Sequence, residues 1–227
     1  MTRPPIILKP HEPVAARVLL PGDPGRALRL AQQLIDGPRM LNHHRGLWGY
    51  SGAAADGAPL TIQSTGLGGP SAAAVVAELV ALGARRLVRV GTASALGATR
   101  PGTLVIAREA LAVDGASRAL GAGARVAADG ALTAALAAAA GQEPALIASA
   151  DIHDPVLART WTEAGAVAAD LATAAILAAA ERAGVAAAAV LAITRAGDAA
   201  VDDAGLEALE ARLGAVAISA IAEPAAG

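Results

Sequence analysis

The sequence predicts an α/β protein in which a mixed central sheet is flanked by helices in three layers. Three observations carry that reading. Short apolar segments of β character alternate with helix-period segments along the chain. Glycine- and proline-rich turns mark the junctions between them. The 227 residues contain no Pro/Gly/Ser-rich linker and no charge block, so residues 1–227 are expected to form a single domain around one large core.

Composition narrows what that core can be. The hydrophobic fraction is 55%, yet much of it is alanine, with no Phe, one Tyr and two Trp. Apolar volume per residue is therefore small, and helices must pack on the sheet with their backbones close together. No apolar run of about 18 residues escapes interruption, and MTRPPIILKPHEP lacks a signal-peptide apolar region followed by a small-residue cleavage site. The expectation is a cytoplasmic protein that does not engage a membrane. Without cysteine there is no disulfide, thiolate catalysis or thiolate metal site. A formal net charge of -2 argues against a basic nucleic-acid surface.

The elements follow in order. Ala16–Leu20 (ARVLL) is expected as a buried strand, and the turn PGDPG at Pro21–Gly25 leads into an amphipathic helix through RALRLAQQLI. Leu60–Ser64 is the next strand, followed by a glycine-rich turn and a helix from Pro70, where the missing N–H is tolerated at a helix start. Leu87–Gly91, Thr103–Ala107, Ala145–Ser149 and Ala187–Thr194 complete the strands. Helices are expected over Leu132–Ala140, Leu171–Ala183 and Asp203–Ala222, the last started by the acidic pair Asp202-Asp203. Alanine tracts such as ALTAALAAAAG share no period and are compositional bias, not repeats. In such a fold, ligands bind at the carboxyl ends of the strands.

Chemistry-bearing residues gather at three of those ends. Gly22-Asp23-Pro24-Gly25-Arg26 joins a tight turn, a helix N-terminus and a guanidinium, which together suit an anion, although a plain turn has the same residues. Arg89 lies inside the otherwise apolar run Leu87–Gly91. An unpaired buried charge costs about 3 to 5 kcal/mol, so Arg89 requires a partner: a bound phosphate, or a carboxylate such as Asp23 or Glu78. Between these, Ser64-Thr65-Gly66-Leu67-Gly68-Gly69-Pro70-Ser71 is a small-residue turn that lets a ligand approach the backbone. His43 and His44 have no third ligand at metal spacing, and His153 between Asp151 and Asp154 reads as part of a loop cap, so no metal site is expected. Trp48 and Tyr50 suit an oligomer interface or ordinary core packing.

Taken together, the stretches VLLPGDPGRA, NHHRGLWGYSG and STGLGGPSAAAVVAELVALGARRLVRVGTASALG resemble the bacterial purine nucleoside phosphorylase and uridine phosphorylase family. The likeness is dense from Val18 to Gly97 and thinner to about Asp198; within TGLGGPSxxxxxxEL, Ala74 stands where isoleucine is usual. The resemblance implies a nucleoside phosphorylase, a pentosyltransferase of nucleoside salvage that uses inorganic phosphate as co-substrate and no cofactor. Phosphate would be held by Gly22, Arg26, Arg89 and Thr92, with Arg45 reaching in from a neighbouring subunit of a homo-oligomer, either a dimer or a hexamer built as a trimer of dimers. Arginine suits this task because it stays charged and grips two oxygens at once. Leu67, Ser94, Asp170 and Leu171 would line the nucleoside.

The nucleoside half departs from the family pattern. A Glu-Met-Glu stretch, whose second glutamate binds the ribose hydroxyls in relatives, aligns with Asp170-Leu171-Ala172, and an alanine side chain accepts no hydrogen bond. The base-facing segment falls within Ala192–Asp198, one residue short, with Thr194 and Arg195 where an acid or amide is usual. An N-terminal histidine aligns near Ile6 or Ile7, with His11 several residues away, and the base-stacking aromatic is missing around Asp151-Ile152-His153. Candidate catalytic residues are thus Asp170, Arg195 and Asp198. Three functions stay open: an active phosphorylase for a purine nucleoside or uridine, a weakened or inactive relative that binds phosphate or nucleoside, and a hydrolase, against which the full arginine set argues.

Overall fold

A computed structural model of the protein describes residues 5–222; the ends of the expected domain, and the first residues of the N-terminal segment, lie outside that range. The first strand, β1 (Arg17–Pro21), is buried throughout and leads into helix α1 (Pro24–Leu34). Asp23 caps that helix by accepting from the Arg26 N–H at 2.7 Å, and Pro24 occupies a first-turn position where no N–H is needed. The helix gives way at once to β2 (Ile35–Asn42), so Ile35, expected as helix, is strand instead.

β2, β3 (Gly49–Ala54) and β4 (Pro59–Gln63) form an antiparallel meander. β2 and β3 are not evident from the sequence. β2 is an edge strand with solvent-facing residues at its centre, and Gly37 and Pro38 break its alternation; proline is tolerated there because an edge strand can spare a donor. Helix α2 (Gly68–Ala81) follows β4, starting two residues before the expected Pro70.

β5 (Arg86–Ala95) then runs through the middle of the sheet, four residues past the expected end at Gly91, carrying Thr92 and Ser94. Next come β6 (Leu104–Ala112), α3 (Gly115–Ala119), β7 (Arg125–Ala127), α4 (Gly130–Ala140) and β8 (Ala145–Ser149). The last third contains α5 (Pro155–Glu163), β9 (Ala168–Asp170), α6 (Thr173–Ala183), β10 (Ala186–Ala196), β11 (Ala199–Ala200) and α7 (Asp203–Ile221). The helix expected from Leu171 begins only at Thr173, because β9 occupies the residues before it.

Among the described residues the strands join in one eleven-stranded mixed sheet. β1 lies parallel between β4 and β5, and β5 is parallel to β10. Part of the sheet closes on itself: β10 pairs with β6, β6 with β8, β8 with β9, and β9 returns to pair with β5. That closure brings Asp170 of β9 into register with Ser149 of β8, and Ala169 into register with Ser94 of β5.

Helices cover both faces. Val18 and Leu20 of β1 pack with α2 and α6, whereas Leu19 packs with α1, α4 and α7. β5 obeys the same period of two, with Leu87 and Ala93 in the first layer and Val88 and Val90 in the second. By parity Arg89 belongs to the α6 layer. A smaller cluster of Leu96, Leu146, Ala148 and Trp161 seats α5.

The alanine-rich composition shows its effect where helices meet. A Cβ built on Gly69 of α2 would lie 3.1 Å from the Cβ of Ala116 and 3.2 Å from that of Ala175, methyl groups fixed to backbone that cannot swing aside. The contact works only because all three residues are small. Gly69→Val should therefore overpack the α2/α3/α6 junction and cost about 1 to 3 kcal/mol. Thermal unfolding of the variant should show a fall of several degrees in Tm; an unchanged Tm would mean that these helices have slack.

Candidate functional site

A cleft of about 400 Å³ opens at the carboxyl ends of β1, β4 and β5. Its walls include Gly22, Asp23 and Arg26 after β1, Gly66, Leu67 and Gly68 after β4, Arg89, Thr92 and Ser94 on β5, and Asp170, Leu171 and Ala172 between β9 and α6. β1 lies between β4 and β5, and the Thr65 N–H donates to the Pro21 carbonyl at 2.8 Å, so the two turns are tied together. Gly66 and Gly68 have φ of +73° and +81°, the left-handed backbone that a side chain disfavours. At Gly66 a Cβ would also lie 2.6 Å from Ser71 Oγ, whose hydroxyl donates to the Thr65 carbonyl.

Arg89 is the most constrained cation of the cleft, 6% exposed. Its Nε donates to Asp170 Oδ2 at 2.9 Å and to Thr173 Oγ1 at 3.0 Å, and its Nη2 stands 2.7 Å from the same Asp170 oxygen. The carboxylate partner is thus Asp170. Asp23 instead caps α1, and Glu78 accepts the backbone N–H groups of Ile6, Ile7 and Leu8. Gly91, two residues along the same face of β5, makes room for the guanidinium: a Cβ there would lie 2.9 Å from Arg89 Cζ. The remaining nitrogen, Nη1, is buried and has no hydrogen-bond partner among the described residues. An unmet buried donor costs about 1 to 3 kcal/mol, more when it carries charge, so this edge of Arg89 calls for an acceptor.

Asp170 is fully committed in turn. Ser149 Oγ donates to its Oδ1, Thr173 Oγ1 donates to its Oδ2 at 2.7 Å, and the Thr173 N–H reaches both oxygens at 3.2 Å. The Ala174 N–H is met by Ser149 Oγ at 3.0 Å. The start of α6 is thereby satisfied from within, with no side-chain cap from Ala172. Asp170 works here as the clamp of Arg89 and the cap of α6.

Arg26 is 7% exposed and held from the other helical layer: its Nε donates to Glu210 Oε1 of α7 at 2.9 Å, while Arg29 Nε donates to Oε2 at 2.6 Å. Burial pushes the Glu210 carboxyl up, but hydrogen bonds from Arg29 and Arg26 and their charges outweigh it, and the group titrates below the ordinary glutamate range. Because its pKa is depressed on folding, the stability it contributes is present above the unfolded glutamate value and is lost as pH falls through the folded one. Arg29 is raised by the same hydrogen bond.

Of the residues singled out in the sequence, Gly22, Arg26, Leu67, Arg89, Thr92, Ser94, Asp170 and Leu171 line this one cleft. Arg45, Arg195 and Asp198 are not among its lining residues. Arg45 is exposed in a short 3-10 turn (His44–Gly46) with φ of +59°, the sole non-glycine residue with positive φ among those described. Arg195 and Asp198 sit on the β10–β11 hairpin, whose turn uses Gly197 at φ +57°, and both are exposed. Thr194, at a register shift between β10 and β5, does line the cleft, as does His153. Asp154 caps α5 and Asp151 accepts the Gly115 N–H, and no group of three metal-ligating side chains occurs among the described residues. Tyr50 is core, whereas Trp48 is 37% exposed. Glu210 carries no sequence signal, since an isolated acid on a helix reads as solvated until its burial is seen.

Fold and site together define an α/β protein with carboxylate-clamped arginines at the strand ends of a partly closed mixed sheet. The chain belongs to the phosphorylase superfamily, whose family profile matches residues 16–223. It is 41% identical over 105 residues to the uridine phosphorylase of Treponema pallidum (strain Nichols), covering 44% of this chain and 39% of that protein. It is 39% identical over 84 residues to the DeoD-type purine nucleoside phosphorylase of Oceanobacillus iheyensis, covering 37% and 35%. These matches thus span less than half the length of either relative. Among solved structures, uridine phosphorylase of Vibrio fischeri ES114 superposes with a TM-score of 0.78 at 25% identity, covering 92% of this chain and 90% of that one. The fold is that of the nucleoside phosphorylases, and no described helix is long and apolar enough to cross a membrane.

The clamp on Arg89 can be tested as a structural element. Asp170→Ala strands a buried guanidinium, an event that costs about 3 to 5 kcal/mol. Urea denaturation should show a loss of that size, with Asp170→Asn, which keeps one acceptor oxygen, falling between the variant and the parent. A loss below about 1 kcal/mol would mean that water already satisfies Arg89.

Proposed function

We propose that the cleft binds inorganic phosphate and that the protein is a nucleoside phosphorylase, cleaving a purine nucleoside or uridine to free base and ribose or deoxyribose 1-phosphate. The observation that carries the reading is the buried, unpartnered Nη1 of cleft-lining Arg89. Arg26 and the turn at Gly22 flank the same space, and Thr92 adds a hydroxyl. An oxyanion of phosphate size would accept from these donors, whereas water as nucleophile would have no use for two fixed guanidinia. In the reaction, a phosphate oxygen forms a bond to the anomeric carbon while the bond from that carbon to the base nitrogen breaks. The bonding electrons leave with the base, and the sugar passes through an oxocarbenium-like state. Arginines that orient the phosphate against that positive charge supply proximity and electrostatic stabilisation.

The remaining residues take roles consistent with this chemistry. Leu67, Ser94, Asp170 and Leu171 form the wall beside the phosphate position, where the nucleoside would lie. Arg45 is held in left-handed backbone on the surface, which supports its delivery to the cleft of a second copy in a homo-oligomer. The setting of this reading is nucleoside salvage in the cytoplasm, with phosphate as co-substrate and no cofactor.

A second reading is favoured by a specific set of observations: a relative that binds phosphate or nucleoside and turns over slowly. Both oxygens of Asp170 are engaged, Ala172 presents only a methyl, and Arg195 and Asp198 lie outside the cleft. Release of inosine and uridine products, measured with and without phosphate, separates the cases. Phosphate-dependent release supports the phosphorylase, phosphate-independent release would make it a hydrolase, and no release supports the slow or inactive relative. Arg89→Ala should abolish phosphate binding; an unchanged phosphate affinity would move the anion site elsewhere.

Ala172 provides the sharper comparison. It is 2% exposed and lines the cleft immediately before α6, so a carboxylate there would face the sugar from a helix N-terminus that favours negative charge. A hydrogen bond to a charged acceptor is worth about 1.5 to 3 kcal/mol. Ala172→Glu should then raise phosphorolysis by roughly ten- to a hundredfold. A variant that is slower than a briskly active parent would show that another residue already holds the sugar hydroxyls.

A further inference from the structure

We propose that Glu210, on the C-terminal helix, is a positioning residue of the phosphate site: it grips Arg26 by Nε and so fixes the two terminal nitrogens of that arginine toward the anion. The inference rests on the phosphate reading of the cleft. It concerns a residue that lies outside the cleft lining and acts only through Arg26.

The reach of Glu210 is created by close helix packing. One turn beyond it, Gly214 meets α1 so tightly that a Cβ would lie 2.7 Å from Leu30 Cδ2 and 3.1 Å from Gln33 Oε1. Gln33 Nε2 donates to the Ala211 carbonyl at 3.1 Å and pins the same contact. With the two backbones this close, Glu210 is 3% exposed and its carboxylate lies between Arg26 and Arg29, one oxygen to each.

The pattern repeats at the second cleft arginine. Asp170 engages Arg89 from its Nε side and leaves Nη1 without a partner. Glu210 likewise takes the Nε of Arg26, and among the described residues the Nη atoms of Arg26 have no hydrogen-bonded acceptor. Two guanidinia, held from opposite helical layers by buried carboxylates, thus keep their far edges for a ligand. A carboxylate beside each arginine cancels much of its net charge, so phosphate affinity here must come from orientation of donors more than from bulk positive potential.

That argument fixes the sign of the test, because the two effects of removing Glu210 oppose each other. Losing a negative charge tightens phosphate binding, whereas losing the clamp frees the Arg26 side chain and weakens it. The proposal requires that the clamp dominate. Titration calorimetry of the full-length protein with inorganic phosphate should show Kd rising about tenfold in Glu210→Ala and by a smaller factor in Glu210→Gln, whose amide oxygen still accepts from Arg26. In phosphorolysis the KM for phosphate should rise by a similar factor, with kcat changing less. Arg29→Ala, outside the cleft and leaving the Arg26 contact in place, should raise the phosphate Kd less than Glu210→Ala does.

Unchanged or tighter phosphate binding in Glu210→Ala would overturn the proposal. If that variant fails to fold, Glu210→Asp decides, because it keeps the charge but withdraws the carboxylate from Arg26: a parental Kd with parental Tm overturns the proposal, and a raised Kd with parental Tm supports it. Phosphate binding is read without turnover, so the two readings fail separately. A parent that binds phosphate but cleaves no nucleoside, with binding weakened in Glu210→Ala, removes the phosphorylase and keeps the positioning role. A parent that cleaves nucleosides, with Glu210 variants of parental Kd, does the reverse, and a parent that binds no phosphate overturns both.

Discussion

The contact on which the cleft depends is the buried pair between Arg89 of β5 and Asp170 of β9. A guanidinium in the middle of a parallel strand would be untenable without it, because its period-two neighbours on that face, Leu87 and Gly91, offer nothing polar. Asp170 can reach Arg89 only because β9 returns to β5 and closes part of the sheet on itself. The same carboxylate satisfies the first N–H of α6, so strand closure, helix start and cation placement are one arrangement. Gly91 belongs to it as well, since any side chain there would collide with the guanidinium.

Alanine shapes the rest. With so little aromatic volume available, the layers approach until backbone glycines such as Gly69 and Gly214 lie against neighbouring side chains. Close approach has a functional result on the α7 side, where Glu210 reaches across to α1 and finds Arg26 and Arg29. A bulkier core would hold α7 farther out and leave that carboxylate short of its partners.

Much of this was legible in the chain. The buried strands at Arg17–Pro21 and Arg86–Ala95, and the helices that follow Asp23 and Gly68, announce themselves through apolar runs, turn residues and caps. Of the cleft residues, Gly22, Arg26 and Arg89 stand beside such a turn or interrupt such a run, whereas Thr92 and the grouping of all four come from the family resemblance. What stayed hidden was whatever depends on distant pairing. β2 shows no clean alternation because its middle faces solvent, and β9 is only three residues long. Arg89 and Asp170 are 81 positions apart, and Arg26 and Glu210 are 184 apart. A lone arginine demands a partner without saying which, so Asp23 and Glu78, nearer in sequence, were natural but incorrect candidates.

The two halves of the cleft differ in how strongly the fold holds them. On the arginine side, Arg89 and Arg26 are each held by a buried carboxylate, and the turns beside them are held by glycines and backbone hydrogen bonds; altering these disturbs the packing as well as the cleft. Across the cleft, the Ala172 side chain caps no N–H, Leu171 and Ser94 are only partly buried, and the exposed β10–β11 hairpin carries Arg195 and Asp198 away from the lining. On the proposed reading, an intact arginine set therefore reports the stability requirements of the fold as much as its chemistry, and the partly buried Leu171 and Ser94, which the fold holds less tightly, leave nucleoside recognition more room to vary.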